Sequence, residues 1–118
     1  MGRVFEPPAD EWTAVTRRGA DRVTSQVLVP AGRGTVVRLS LTRIEAGGVF
    51  GPHIDDYAHV FCVQQGHGEA MVGKRRSPIG PGSVIETDVD EPHGLWAASD
   101  EPLVLVTANL YEHPPGSA

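Results

Sequence analysis

The sequence is poor in cysteine and contains no long apolar run. Cys62 is its only cysteine, which excludes an intrachain disulfide, a multi-cysteine zinc site and a CxxC redox pair. No apolar segment approaches the ~20 residues of a membrane-spanning helix. Residues 1–12 also lack the apolar stretch of a secretory leader. We therefore expect a cytoplasmic protein with no membrane partner.

Basic charge is also scarce. Ten Lys and Arg residues stand against fifteen Asp and Glu residues, which gives a net charge of −5. This balance provides no electrostatic reason to bind nucleic acid or an anionic membrane surface. The only basic run, residues 74–76, follows a glycine and is interpreted as a solvated hairpin tip. We therefore expect no nucleic acid partner.

Glycine and proline, in contrast, are abundant. The 14 glycines and 10 prolines are spread along the chain as turn signals, a pattern typical of many short strands. No apolar stripe with a 3.6-residue period indicates a helix. Strands are predicted at residues 23–29, 35–45, 52–55, 59–65, 69–72, 83–86, 93–98 and 103–111. The sequence thus predicts one all-β domain, a sandwich or barrel at about 23–111, after an N-terminal arm at 1–20.

The residues with the clearest chemistry lie in residues 48–66. His53, Asp55 and His59 fall within seven positions there, and His93 follows in a second segment rich in Pro and Gly. His53 and Asp55 are two apart, so on a strand both side chains project from the same face. His59 and His93 each open a further predicted strand. Imidazoles and a carboxylate are suitable ligands for Fe, Mn, Ni, Cu, Co or Zn.

Each of these residues also has a plainer interpretation. Asp55 and Asp56 together would form a solvated turn, and His93 after a proline would be a polar turn residue. Two histidines that flank an aspartate are less easily explained as surface. Spacing alone does not decide between a metal site and a polar surface.

Residues 35–108 resemble the cupin family. Its first motif, G(X)5HXH(X)3,4E(X)6G, is filled by His53, by Asp55 in place of the second His, by His59 in place of the Glu, and by Gly66. Both replacements keep metal-binding chemistry. The resemblance implies a double-stranded β-helix, that is, a jelly-roll barrel.

The second cupin motif, G(X)5PXG(X)2H(X)3N, is approximated more loosely. Pro81 and Gly82 precede a predicted strand, and His93 follows Pro92 as in the family's histidine segment. The resemblance implies that His53, Asp55, His59 and His93 hold one divalent transition metal (Fe, Mn, Ni, Cu, Co or Zn). If Asp55 stays off the metal, the site would resemble the three-histidine centres of thiol dioxygenase-like cupins.

The cupin resemblance also implies a function. We expect a small metal-dependent enzyme that is dioxygenase-like or isomerase- or lyase-like and acts on a small organic substrate. Asp55 would be a fourth ligand or a general base, and Tyr57 a proton donor. The alternatives are a non-catalytic module that binds a small molecule or metal, and a structural cupin with a vestigial site. By resemblance to small cupins we expect a homodimer.

Overall fold

The computed structural model describes residues 2–32 and 36–112. Nine strands occur in this part of the chain: β1 (Thr13–Ala14), β2 (Ala20–Val29), β3 (Val37–His53), β4 (Ala58–Gln65), β5 (Gly68–Val72), β6 (Arg75–Ile79), β7 (Val84–Thr87), β8 (His93–Ala97) and β9 (Leu103–Leu110). These residues include no helix, and therefore none that could cross a membrane. The predicted all-β class is confirmed.

Strand β3 connects the two halves of the curled sheet. All pairings are antiparallel, and the strand order is β6-β5-β8-β3-β9-β4-β7, with β2 also pairing β3 and β1 pairing β2. Residues 37–44 of β3 pair with β9, whereas residues 49–53 pair with β8. Since one long strand takes part in both layers, the sheet curls around an interior. This confirms the jelly-roll architecture.

The predicted break between the strands at residues 35–45 and 52–55 is wrong, because β3 is continuous from Val37 to His53. Gly47 has a φ of 71°, and a Cβ on Gly48 would lie 2.8 Å from a backbone carbonyl oxygen. The pairing with β2 jumps here from Ile44 to Val49. The glycines therefore form a bulge that bends the strand instead of ending it. The bend carries the strand on to His53, in the segment predicted as a separate strand.

The hairpin tip predicted at residues 74–76 is also corrected. Arg75 already pairs with Val72 in the β5–β6 hairpin, so the turn is shorter and β6 begins at Arg75. Arg76 binds Glu69 across the hairpin at 2.7 Å, and its guanidinium lies 3.9 Å from the centre of the Trp96 ring. The two arginines of the basic run thus belong to a strand.

The interior of the barrel is apolar in one half and polar in the other. Strand β9 shows the division, because Leu103 and Leu105 are fully buried while Thr107 and Asn109, next on the same face, are polar. The hydroxyl groups of Thr107 and Thr42 form a hydrogen bond of 2.9 Å. The apolar core comprises Val23, Ile44, Phe61, Val63, Ala70, Ile79, Ile85, Leu95, Leu103 and Leu105.

Candidate metal centre

The structure brings the four residues predicted to bind a metal together at the polar end of the barrel. His53 ends β3 and lies directly opposite His93, the first residue of β8. Asp55 follows β3 by two residues, and His59 points inward from β4. Asp55, His59 and His93 are buried, and the side chain of His53 is 11% exposed.

One carboxylate oxygen lies between the three imidazoles. Asp55 Oδ2 is 2.8 Å from Nε2 of His59, 3.3 Å from Nε2 of His53 and 3.5 Å from Nε2 of His93. The ligand atoms of His53, Asp55 and His93 all lie within 4.8 Å of one another. His59 joins this group through its contact with Asp55. Its ring centre lies 4.9 Å from that of His93.

Backbone carbonyl groups fix the tautomers of two of the histidines. Nδ1 of His53 lies 2.8 Å from the carbonyl oxygen of Gly51, and Nδ1 of His93 lies 2.8 Å from that of Glu91. Because a carbonyl oxygen only accepts hydrogen bonds, each Nδ1 carries the proton. In the neutral ring Nε2 then has a free lone pair. This is the usual outer hydrogen bond of a histidine that binds a metal.

A side-chain amide plays the same part for the third histidine. Nδ1 of His59 donates to Oδ1 of Asn109 at 2.9 Å, and Nδ2 of Asn109 donates to the hydroxyl of Tyr111 at 3.1 Å. Tyr111 thereby holds the amide with its oxygen towards His59. As a result, Nε2 of His59 also faces Asp55.

The charges of these groups fit a bound cation. Burial lowers the pKa of His53 and His93, which favours neutral rings. Burial alone would raise the pKa of Asp55, but hydrogen bonds from Arg17 and His59 outweigh it, so that the pKa is lowered and the group is a carboxylate. The Nε2 lone pairs of His53 and His93 therefore face an acceptor oxygen of Asp55.

Such an arrangement is unfavourable unless a proton or a cation lies among the acceptors. The 2.8 Å contact between His59 and Asp55 has hydrogen-bond length and thus requires a shared positive charge. Nε2 of His93 is a buried atom with no hydrogen-bond partner among the described residues. A divalent transition metal, bound by nitrogen at about 2.0–2.1 Å, would satisfy all of these atoms.

Arg17 also contacts the site, although nothing in the sequence pattern indicates it. Its Nη1 lies 2.6 Å from Oδ1 of Asp55, so the two carboxylate oxygens have different partners. The segment that carries Arg17 is fixed beside β3 by a 2.8 Å hydrogen bond from the amide of Gly51 to the carbonyl of Gly19. Gly19 has a φ of 90°, and its α-carbon passes close to Gly51. Nothing in the spacing of these two glycines indicates that they meet.

Tyr57, the predicted proton donor, borders the site without binding Asp55. Its ring packs on His59 at 4.9 Å and on Tyr111 at 4.7 Å between ring centres. Burial, and then the negative charge of Asp55, raise the pKa of the phenol. The hydroxyl therefore stays protonated at neutral pH. It makes no hydrogen bond within the described part of the chain.

A cavity of about 210 Å³ opens beside His53, Asp55 and His59. Pockets for drug-sized ligands have volumes of roughly 300–1,000 Å³, so this one is suited to a smaller molecule. A larger trough of about 1070 Å³ lies between the β5–β6 hairpin and β7 and contains none of the histidines. Besides the site residues, the smaller cavity is lined by hydroxyl and aromatic side chains, including Ser25, Ser40, Thr42, Thr107, Phe50 and Phe61.

The fold and the site define a class of protein. The chain is a small jelly-roll barrel in which side chains capable of binding a metal converge at one end of the interior. The cupin domain profile matches residues 40–109, which is more than half of the chain. The chain therefore belongs to the cupin family, as the two motifs predicted.

Solved structures of other proteins share this fold. A cupin-2 domain protein from Rhodospirillum rubrum is 24% identical with a TM-score of 0.80 over 96% of this chain and 77% of its own. The polyketide cyclase RemF from Streptomyces resistomycificus is 22% identical, with a TM-score of 0.82 over 98% of this chain and 83% of its own. A predicted oxalate decarboxylase from Thermotoga maritima is 18% identical, with a TM-score of 0.76 over 90% of this chain and 98% of its own.

These identities establish a common fold and no common activity. No curated protein matches the sequence of this chain. The function is therefore argued from the site itself.

Proposed function

We propose that this cupin is a metal-dependent enzyme that acts on a small organic substrate. The metal would be held by His53, His59, His93 and Asp55. One observation carries the proposal: each histidine directs Nδ1 to an outer acceptor and Nε2 towards one buried carboxylate oxygen. Histidines on the surface do not need a common orientation, whereas histidines that bind one metal must all direct a nitrogen lone pair to it.

We assign Asp55 to the metal as a ligand and not as a general base. Its lowered pKa makes the carboxylate a weak base at neutral pH, and a general base works best with a pKa near the working pH. Arg17 holds Oδ1, which leaves Oδ2 directed to the histidines. The bound ion would supply Lewis acidity towards a carbonyl or enediol oxygen, or activation of dioxygen.

The remaining residues of the site orient the substrate and shield it from water. Phe50 stacks on His53 with 4.5 Å between ring centres, and Phe61 on His59 with 5.2 Å. These aromatic rings restrict the access of water to the ligands. Tyr57 keeps its proton and borders the same cavity, so it can donate a hydrogen bond or a proton to a substrate oxygen.

Two reaction classes are proposed, one dioxygenase-like and one isomerase- or lyase-like. Among proteins of this fold, RemF is named a polyketide cyclase and the Thermotoga protein a predicted oxalate decarboxylase. Oxygen consumption by the metal-loaded protein, measured across a panel of small acids, thiols and diketones, separates the classes. Product formed without oxygen uptake would place the enzyme in the second class.

A binding module without turnover is the second candidate. The low pKa of Asp55 favours it, because the site then has no general base near neutral pH. Saturable binding of a small molecule without product formation would support this candidate over the enzyme.

Metal analysis tests both candidates. Protein purified without added metal, then incubated with Fe(II), Mn(II), Ni(II) or Zn(II) and desalted, should retain about one equivalent of one of these ions. His53→Ala and His93→Ala should lose that metal. His67→Ala is the matched control, because His67 is exposed and paired with Glu101 away from the cavity. Less than about a tenth of an equivalent in the unmodified protein would refute the metal proposal.

We also propose that the chain forms a cytoplasmic homodimer. Leu41, Val106, Cys62 and Val84 lie opposite one another in a row across β3, β9, β4 and β7 on the outer face of the sheet. The row is apolar, and Val84 is 61% exposed. A second copy would cover it. A monomeric mass by light scattering would contradict this proposal.

A further inference from the structure

Arg38 lines the cavity, and its side chain has no partner within the described part of the chain. Arg17 and Arg38 both line it, and Arg17 is bound to Asp55. Among the described residues, the guanidinium of Arg38 makes no hydrogen bond and no ion pair, whereas that of Arg43 on the same strand binds Glu45 at 2.8 Å. A guanidinium without a partner in a small cavity is available to a ligand.

Arg38 lies in the same row of the sheet as one of the metal ligands. It is opposite Asn109 of β9, and Asn109 is opposite His59 of β4. Directly opposed residues of antiparallel strands share a face, and strands are about 4.8 Å apart. The backbones of Arg38 and His59 are therefore about 10 Å apart, two strand spacings across one wall. Arg38 and Tyr57 line the same cavity.

The charges that line the cavity do not balance. Two guanidinium groups, those of Arg17 and Arg38, face a single carboxylate, that of Asp55. A divalent ion at the ligands would add two further positive charges. Excess charge of one sign in a confined site favours a ligand of the opposite sign.

We propose that the substrate is a small carboxylate that binds through its carboxylate group to Arg38. This inference rests on the proposed function and specifies the substrate class of the same site. The guanidinium of arginine binds a carboxylate through two parallel hydrogen bonds. The hydroxyl groups of Ser25 and Ser40, on the cavity wall, complete a polar surface for further oxygen atoms of the substrate.

Binding of simple anions tests the inference. Isothermal titration calorimetry with acetate, oxalate, malonate and succinate, against malonamide as a neutral probe, is performed on metal-free and on metal-loaded protein. At least one carboxylate should bind, and malonamide should not. In Arg38→Gln the dissociation constant for that carboxylate should rise about 10- to 100-fold, the loss of a charge-assisted hydrogen bond. Arg38→Lys keeps the positive charge but loses the paired hydrogen bonds of the guanidinium group. Its dissociation constant for the carboxylate should lie between those of the unmodified protein and Arg38→Gln.

Arg43→Gln is the matched control, because it removes the same charge from the same strand but on the outer face. It should bind the carboxylate as the unmodified protein does. No binding of any of the four anions, equal binding of malonamide, or equal effects of Arg38→Gln and Arg43→Gln would overturn the inference. Thermal denaturation of each variant shows whether it is folded, and Arg38→Lys serves if Arg38→Gln is not.

The two proposals fail in different ways. Full metal content with carboxylate binding that does not depend on Arg38 would overturn the substrate class and leave the metal centre standing. Carboxylate binding that depends on Arg38 in protein unable to retain metal would support the anion site and refute the metal-dependent enzyme.

Discussion

Replacing Asn109 by leucine should weaken metal binding. The side chain of Asn109 accepts the Nδ1 proton of His59 at 2.9 Å and is itself fixed by Tyr111. Leucine has a similar size and no acceptor, so His59 would lose the bond that orients its ring. Loss of an outer hydrogen bond of this kind typically lowers metal affinity 10- to 100-fold. That range corresponds to about 1.4–2.8 kcal/mol, comparable with the ~1–3 kcal/mol cost of leaving a buried donor unsatisfied.

Asn109→Asp is the informative control. Aspartate keeps the acceptor and makes it anionic, which raises the basicity of the histidine that binds the metal. We expect it to bind metal at least as tightly as the unmodified protein. Competition titration of Zn(II) or Ni(II) against a chelator of known affinity gives the metal affinity of the unmodified protein and both variants. Equal metal affinities for the leucine variant and the unmodified protein would show that the Asn109 hydrogen bond does not support metal binding. His59 would then be removed from the proposed ligand set.

Two further predictions concern the protein without metal. Arg17→Gln should lower the free energy of unfolding in urea by about 1 kcal/mol, because the carboxylate of Asp55 is 6% exposed whereas Arg17 is 41% exposed and partly screened. Arg22→Gln, which removes an exposed ion pair and an exposed hydrogen bond to Ala46, should lower it less. Burial lowers the pKa of His53 and His93, so these rings bind protons more readily in the unfolded chain than in the folded one. The folded protein should therefore reach its full stability above about pH 6.5 and lose stability as the pH falls below that value.

The outcomes that would contradict these two predictions are distinct. Equal losses in the Arg17 and Arg22 variants would show that the Arg17–Asp55 pair is an ordinary surface contact. A constant free energy of unfolding between pH 7 and pH 5, measured with a chelator present, would show that the buried histidines do not favour the neutral form.

The strand content of the fold could be predicted from the sequence, but its curvature could not. Glycines and prolines marked most turns correctly. The glycine pair in β3, however, has the same composition as a turn and forms a bulge, because both flanking segments find partners in different layers. Only the pairing with β8 and β9 distinguishes the two outcomes, and pairing is a long-range property.

Alternation in β3 separated its two faces without showing which one points inward. Ser40 and Thr42 are buried, whereas Leu39 and Leu41 are half-buried on the outer face. Apolar residues usually face the interior of a sheet. Here the polar face is inside because this end of the barrel holds the cavity.

The convergence of the four candidate ligands could be predicted from the sequence, but the contact of Arg17 with Asp55 could not. Three of the four candidate ligands lie within one short segment, and the cupin spacing related His93 to them. Arg17 reaches Asp55 from 38 positions away through the contact of two glycines. Asn109 was open to prediction, because it lies two residues beyond the inward-facing Thr107 on β9.

The most direct test of the metal centre is a crystal structure of metal-loaded protein with diffraction data collected on both sides of the absorption edge of the ion. We predict one anomalous peak at about 2.0–2.2 Å from Nε2 of His53, Nε2 of His93 and an oxygen of Asp55, with His59 completing the set. A peak at the exposed His67 instead, or no peak between β3, β4 and β8, would contradict the proposed metal centre.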